Sequence, residues 1–357
     1  MRAVVVHEFG APEVLKVEQV PTPVIGEDEV LVLVRNHAAG VNRYDVELRS
    51  GFYGGQPIRE LFFAKDLKFP LVLGVEPAGE IVEVGGRVPD AVTVGARVTM
   101  HTHASCGVCE HCKAGADNAC PQIRVFGSGV LRYEGAYAEF FKCDYRRLIP
   151  LADNVSYEQG AALQANYGPV LSGLQRAQIE PGETVLVIGA AGGVGVAAVQ
   201  IAKLLGARVI ATAGTDAKAK RLKNEIGADA VINYRETSIP EAVREITDGR
   251  GADIVFELVG AQTWPASLAS AGSRGRVIVI GSHGGSRADT NLGELFAKNL
   301  SVYGITRANR RNMDRLYELC ADGKIKPIIT TFPLEDAVSA HEVMERGEQF
   351  GKIVLTM

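Results

Sequence analysis

The chain has 357 residues, 46% hydrophobic and 22% charged, with a net charge of −4 and a pI near 6.0. That length exceeds one ordinary core, so two domains are expected. No basic field invites nucleic acid or an anionic membrane surface, and no apolar run reaches the ~18–20 residues of a membrane span. The sequence opens on Met1-Arg-Ala-Val-Val-Val without the long apolar core of a signal peptide. Four of the six cysteines fall between positions 106 and 120. That spacing suits a metal cluster in a reducing compartment better than a disulfide framework, and a cytoplasmic protein is expected.

In chain order, short apolar stretches between Gly, Pro and Asp breaks predict strands at 2–6, 30–35, 79–84, 96–100 and 136–142, the pattern of a small barrel or sandwich. From about Pro181 the pattern changes. A strand at 184–188 precedes a helix at 194–205; a strand at 208–213 precedes a helix at 217–226; a strand at 230–233 precedes a helix at 239–247. Further strands follow at 254–258, 277–280 and 301–305. Strands alternating with helices of this length predict an α/β, doubly wound parallel sheet. Two amphipathic helices near 309–321 and 335–345 and a last strand at 352–356 close the chain, and this tail is expected to return to the first domain.

Thr184-Val-Leu-Val-Ile-Gly-Ala-Ala-Gly-Gly-Val-Gly195 reads as strand, glycine turn and helix start. Such a turn lets backbone N–H groups approach a pyrophosphate at a helix N-terminus. Ala191, Gly192, Gly193, Val194 and Gly195 are therefore candidate cofactor contacts, with Ala190 standing where the first glycine of the usual triplet falls. The second strand ends at Ala213, where an acidic residue would bind the 2′-hydroxyl of NAD. Thr215, Lys218, Tyr234 and Arg235 instead offer the hydroxyls and cations that a 2′-phosphate needs, which predicts NADP(H). Asp216 reads as the cap of the helix that starts there.

Cys106, Cys109, Cys112 and Cys120 are spaced 2-2-7 within one loop, a set able to hold one tetrahedral, structural Zn2+ per chain. An iron–sulfur cluster and four reduced thiols are the alternatives. His101, His103 and His111 read as surface or supporting residues.

Together these segments resemble the medium-chain dehydrogenases/reductases along essentially the whole chain. The cysteine lobe resembles that of zinc alcohol dehydrogenases. Ala190-Ala-Gly-Gly-Val-Gly195, Ala207-Arg-Val-Ile-Ala-Thr-Ala-Gly214, Val231-Ile-Asn-Tyr-Arg235, Gly40-Val-Asn-Arg-Tyr-Asp45 and Arg49-Ser-Gly-Phe-Tyr53 resemble the quinone oxidoreductase branch. The resemblance implies a GroES-like, β-rich catalytic domain at 1–155 and 306–357, with its zinc lobe at 101–121, and a Rossmann NADP-binding domain at 156–305. Simple quinone reductases lack such a cysteine lobe. The loop 53–70 with Glu60-Leu-Phe-Phe63 is also longer than theirs and is expected to roof part of the substrate cleft.

Zinc alcohol dehydrogenases draw catalytic ligands from Gly-Val-Cys and Gly-His-Glu segments, which here read Gly40-Val41-Asn42 and Gly74-Val75-Glu76; the third ligand would fall near Gln164-Ala165-Asn166. None is a thiolate or imidazole, and a catalytic zinc needs about three protein ligands. Without a Lewis acid, hydride reduction of a quinone or an α,β-unsaturated carbonyl is the lighter task, because hydrogen-bond donors can stabilise the oxyanion that forms. The resemblance makes Asn42 and Tyr53 the catalytic candidates, and Asp45 and Arg49 read as a pair across one helical turn. An NADP-dependent alcohol dehydrogenase with an atypical metal site and a non-catalytic NADPH-binding protein are the rival readings. The resemblance also implies a homodimer or homotetramer joined through the sheet edge at 299–304.

Overall fold

Short apolar stretches broken by Gly, Pro and Asp in the first 150 residues favour short strands joined by tight turns. The structure, a computed structural model, describes residues 1–60, 67–128 and 134–357. A seven-stranded sheet runs in the order Leu148–Pro150, Arg97–Met100, Glu76–Val84, Leu31–Val41, Lys352–Thr356 and Ile329–Pro333, with Phe140–Asp144 also paired to Leu31–Val41. Its pairs are antiparallel except the last, where Ile329–Pro333 lies parallel to Lys352–Thr356. A three-stranded sheet of Lys16–Gln19, Arg2–Val6 and Leu71–Val72 packs on the same core, which includes Val4, Val34, Leu48, Leu73, Ile81 and Leu355.

Residues 184–304 build the second sheet. Six strands lie in the order Ala230–Asn233, Arg208–Ala213, Thr184–Val187, Ala252–Glu257, Ala271–Val279 and Ser301–Gly304, every neighbour parallel. Central strands of such a sheet are covered on both faces and read as unbroken apolar runs. Val185, Leu186 and Val187 are accordingly all buried. The fold is α/β, with a GroES-like β-rich part and a Rossmann sheet.

Two helices escape the periodicity of the sequence. Gln164–Arg176 carries Pro169 in its interior, which interrupts the helical pattern, and Trp264–Ser270 is only seven residues long. Met1–Ala165 with Asn309–Met357 forms one compact unit and Asn166–Ala308 the other. The expected divisions were 155/156 and 305/306. Residues 156–165 stay with the first unit because the short helix Tyr157–Gly160 packs there, the Tyr157 ring stacked 4.5 Å from His37. Among the described residues no helix is long and apolar enough to cross a membrane. Leu61, Phe62 and Phe63 of the expected roof loop lie outside the described residues.

Candidate functional site

Strand register brings three distant side chains together in the first unit. Gly40 pairs with Glu76 on one side of the central strand, and Val41 pairs with Ile353 on the other. Asn42, Glu76 and Lys352 therefore converge where that strand ends. Lys352 Nζ donates to Asn42 Oδ1 and to Glu76 Oε2, both at 2.5 Å, and Asn42 Nδ2 donates to the same Glu76 oxygen at 2.8 Å. The other carboxylate oxygen of Glu76 accepts from the Ala165 backbone N–H at 2.7 Å. Glu76 is fully buried and Lys352 is 4% exposed. Gly40 makes room for this cluster: a Cβ there would lie 2.2 Å from the Ala161 carbonyl oxygen and 2.8 Å from Lys352 Cε.

Sequence reasoning missed Lys352. It opens the apolar strand Lys352–Thr356 and reads as an ordinary strand-end lysine, and 310 residues separate it from Asn42. Its ammonium stands against Asn42, which takes the place of the cysteine in the Gly-Val-Cys segment, and against Glu76, which keeps the glutamate of the Gly-His-Glu segment, whose histidine position is Val75. At the remaining position Gln164 donates to the Met100 carbonyl and accepts from the Thr102 N–H, and Ala165 meets Glu76 through its backbone N–H. An amide, a carboxylate and an ammonium do not make the three-donor set of a catalytic zinc.

Below the cluster, Asp45 caps the helix Arg43–Ser50, which starts after Asn42. Its carboxylate accepts from the backbone N–H groups of Asn42 (2.8 Å) and Gly74 (3.2 Å), and the Tyr137 hydroxyl lies 3.4 Å away. Burial pushes Asp45 up to about 7, against the pull of the Asn42 N–H and of Lys352. Tyr137 is raised well above its usual value by burial, and His341, 3.2 Å from the Tyr137 hydroxyl, is pushed down to about 3 by burial and by Arg49. The expected Asp45–Arg49 pair is not formed. Arg49 donates to Glu345 instead, because the helix N-terminus draws Asp45 inward. Tyr53, in the hairpin Phe52–Tyr53 with Gln56–Pro57, is half-buried with its ring edge against Tyr44, centroids 6.4 Å apart.

The four cysteines converge. Their sulfurs lie within 4.8 Å of one another, with separations of 3.5 Å (Cys109–Cys112) and 4.0 Å (Cys106–Cys112 and Cys109–Cys120). Tetrahedral zinc with bonds of about 2.3 Å requires sulfurs about 3.8 Å apart, so the set fits. Backbone N–H groups of Cys106 and Gln122 point at Cys120 Sγ, both at 3.4 Å. N–H groups of Val108 and Cys109 hold Cys106 down at about 6, toward the thiolate that binds metal. Of the three histidines, His101 and His103 are buried and His111 is exposed.

In the second unit the strand Thr184–Val187 leads into the turn before the helix Gly193–Leu204. Gly189 takes φ +76°, a left-handed conformation that favours glycine. Gly195 packs so tightly that a Cβ would lie 2.4 Å from Ala190 Cα. Ala191, Gly192, Gly193 and Val194 remain half-buried around the N-terminus of a twelve-residue helix, a cradle that fits a pyrophosphate. At the ends of the next two strands, Thr215 rather than Asp216 caps the helix Asp216–Arg221, accepting from the Lys218 N–H at 3.3 Å. Asp216 accepts from Asn233 at 3.0 Å. The Tyr234 hydroxyl crowds Gly214, Lys218 is half-exposed and Arg235 is exposed.

Residues 26–153 match the family profile described as alcohol dehydrogenase GroES-like domain, and residues 193–322 match that of zinc-binding dehydrogenase. Over 358 residues the chain is 32% identical to an acryloyl-coenzyme A reductase of Metallosphaera sedula, covering all of both chains. The chain belongs to the medium-chain dehydrogenase/reductase superfamily. It is 33% identical to a quinone oxidoreductase of Salmonella typhimurium, covering 98% of this chain and 97% of that protein. A solved structure titled NAD-dependent alcohol dehydrogenase superposes with a TM-score of 0.91 at 36% identity, covering all of both chains. This member of the superfamily is an oxidoreductase with a glycine turn that fits a pyrophosphate and a four-cysteine lobe suited to zinc.

Proposed function

We propose that the protein is an NADPH-dependent reductase of quinones or α,β-unsaturated carbonyls that transfers hydride without a catalytic zinc, as a homodimer or homotetramer. The observation that carries this reading is the Lys352 ammonium held between Asn42 and Glu76. A second cation at that point would have to displace the first. The bound nicotinamide supplies the hydride. Reduction of a conjugated C=C bond leaves an enolate, and quinone reduction likewise leaves a phenolate-type oxyanion. Among the described residues, two of the three ammonium protons of Lys352 are bonded to Asn42 and Glu76. The third is assigned to the developing oxyanion, where a fixed donor in a low-dielectric site is worth most. Asn42 and Glu76 position that ammonium. Tyr53 serves the pocket wall or a proton relay.

For the cofactor, Ala213 carries no carboxylate, Asp216 is tied to Asn233, and Lys218 and Arg235 flank the Thr215 cap, which together support a 2′-phosphate. The four cysteines hold one structural zinc. The outer strand Ser301–Gly304 ends the parallel sheet, with Val302 46% exposed, and supplies an edge for subunit pairing.

The test is turnover with NADPH and with NADH against a 1,4-quinone, an enone and an acryloyl thioester, before and after dialysis against a chelator. Reduction that prefers NADPH and survives chelation is expected. Alcohol-dependent reduction of NAD+ that is lost on chelation would overturn the reading in favour of an alcohol dehydrogenase. Tight cofactor binding without turnover of any acceptor would overturn it in favour of a binding protein.

A further inference from the structure

We propose that His101, His103 and Asp117 form a second metal site, for a divalent transition ion with zinc as the first choice, separate from the four-cysteine site. One ligand atom from each residue lies within 4.8 Å of the other two. Asp117 Oδ2 is 3.3 Å from His103 Nε2 and 3.8 Å from His101 Nδ1. The two imidazoles sit side by side, centroids 3.9 Å apart and tilted by 55°. Their side chains are 7% and 1% exposed.

Two buried imidazoles and one carboxylate oxygen converge on one point, so a single ion placed there would be held by all three groups. Bonds of about 2.0–2.2 Å to nitrogen and oxygen place tetrahedral ligand atoms about 3.3–3.6 Å apart, close to the 3.3 and 3.8 Å present between Asp117 and the two imidazoles.

The surroundings also suit a metal. Asp117 Oδ1 accepts from the Arg310 backbone N–H at 3.1 Å, which fixes the orientation of the carboxylate. Asp117 is 17% exposed, which leaves an entry path from solvent. Two nitrogens and one oxygen suit zinc, cobalt or nickel better than calcium or magnesium. An ion here would tie the strand end at His101, the bridge strand His103–Ala104 and the turn Asp117–Ala119 into one rigid corner. The inference does not depend on the reductase reading.

The test is a metal count on tag-free protein equilibrated with micromolar zinc and then desalted. Two zinc ions per chain are expected in the wild type and one in His103→Ala. With zinc in the cysteine site, added cobalt is expected to give the visible bands of nitrogen and oxygen ligation without thiolate charge transfer, and these bands are expected to vanish in the same variant. Should His103→Ala not fold, Asp117→Asn keeps the volume, and at least tenfold weaker binding of the second ion is expected. One zinc per chain in the wild type, with no cobalt bands, overturns the proposal. A count that falls in Glu76→Gln and not in His103→Ala also overturns it, and would place the ion at the Asn42 cluster, against the zinc-free reading of that site.

Discussion

Replacing Lys352 with methionine separates two roles of one side chain. The substitution keeps the aliphatic stem and removes the charge from a pocket where Glu76 is fully buried. Leaving one partner of a buried ion pair alone costs about 3–5 kcal/mol. At roughly 2–4 °C per kcal/mol for a unit of this size, the loss corresponds to about 6–20 °C in Tm. Adding Glu76→Gln removes the stranded carboxylate, and the double variant is expected to recover most of that Tm, because a neutral pair of similar volume is often as stable as the ion pair. Activity behaves differently. Losing one preorganised donor at a developing oxyanion lowers kcat about 10²–10³-fold, and the double variant stays equally slow. Calorimetry and steady-state kinetics on the four proteins of the cycle measure both effects. A Tm within about 2 °C of wild type in Lys352→Met would mean that the pair is not buried as described. Full kcat in the double variant would remove Lys352 from the chemistry.

Lys218→Ala with Arg235→Ala is expected to raise KM for NADPH about 10–100-fold and to leave KM for NADH within about twofold, since hydrogen bonds to charged groups are worth about 1.5–3 kcal/mol; equal changes for both cofactors would refute the 2′-phosphate assignment. Asp45, held at about 7 by burial, lies above the ordinary carboxylate value, so its protonated form favours the fold. That contribution is complete below about pH 4 and is lost as pH rises through about 7. Asp45→Asn is therefore expected to flatten the dependence of Tm on pH between 5 and 8, and an unchanged slope would count against it. Cys120→Ser is expected to release one zinc per chain and to expose the 101–121 segment to proteolysis; retention of both metal and resistance would exclude a cysteine-held lobe.

Features that depend on neighbours along the chain could be read from the order of residues. Four cysteines within fifteen positions reach one another through a single loop, and they do. A strand, a glycine turn and a helix follow in order between Thr184 and Leu204, so the dinucleotide cradle was legible too. Asn42 and Glu76 could be read as unfit for a catalytic zinc from residue type alone. The lysine that stands beside them was not legible. Lys352 meets Asn42 because antiparallel pairing aligns Val41 with Ile353 and Gly40 with Glu76, and pairing between strands hundreds of residues apart leaves no local signal. The Asp45–Arg49 pair failed for a related reason: helical spacing permits it, but a buried helix start offers the carboxylate backbone donors, and Arg49 finds Glu345. Whether His101 and His103 were surface or supporting residues stayed open because burial belongs to the packed molecule, and only the fold turns Asp117 back onto both. Local chemistry lies in the order of residues, whereas long-range register and desolvation exist only once the chain has closed on itself.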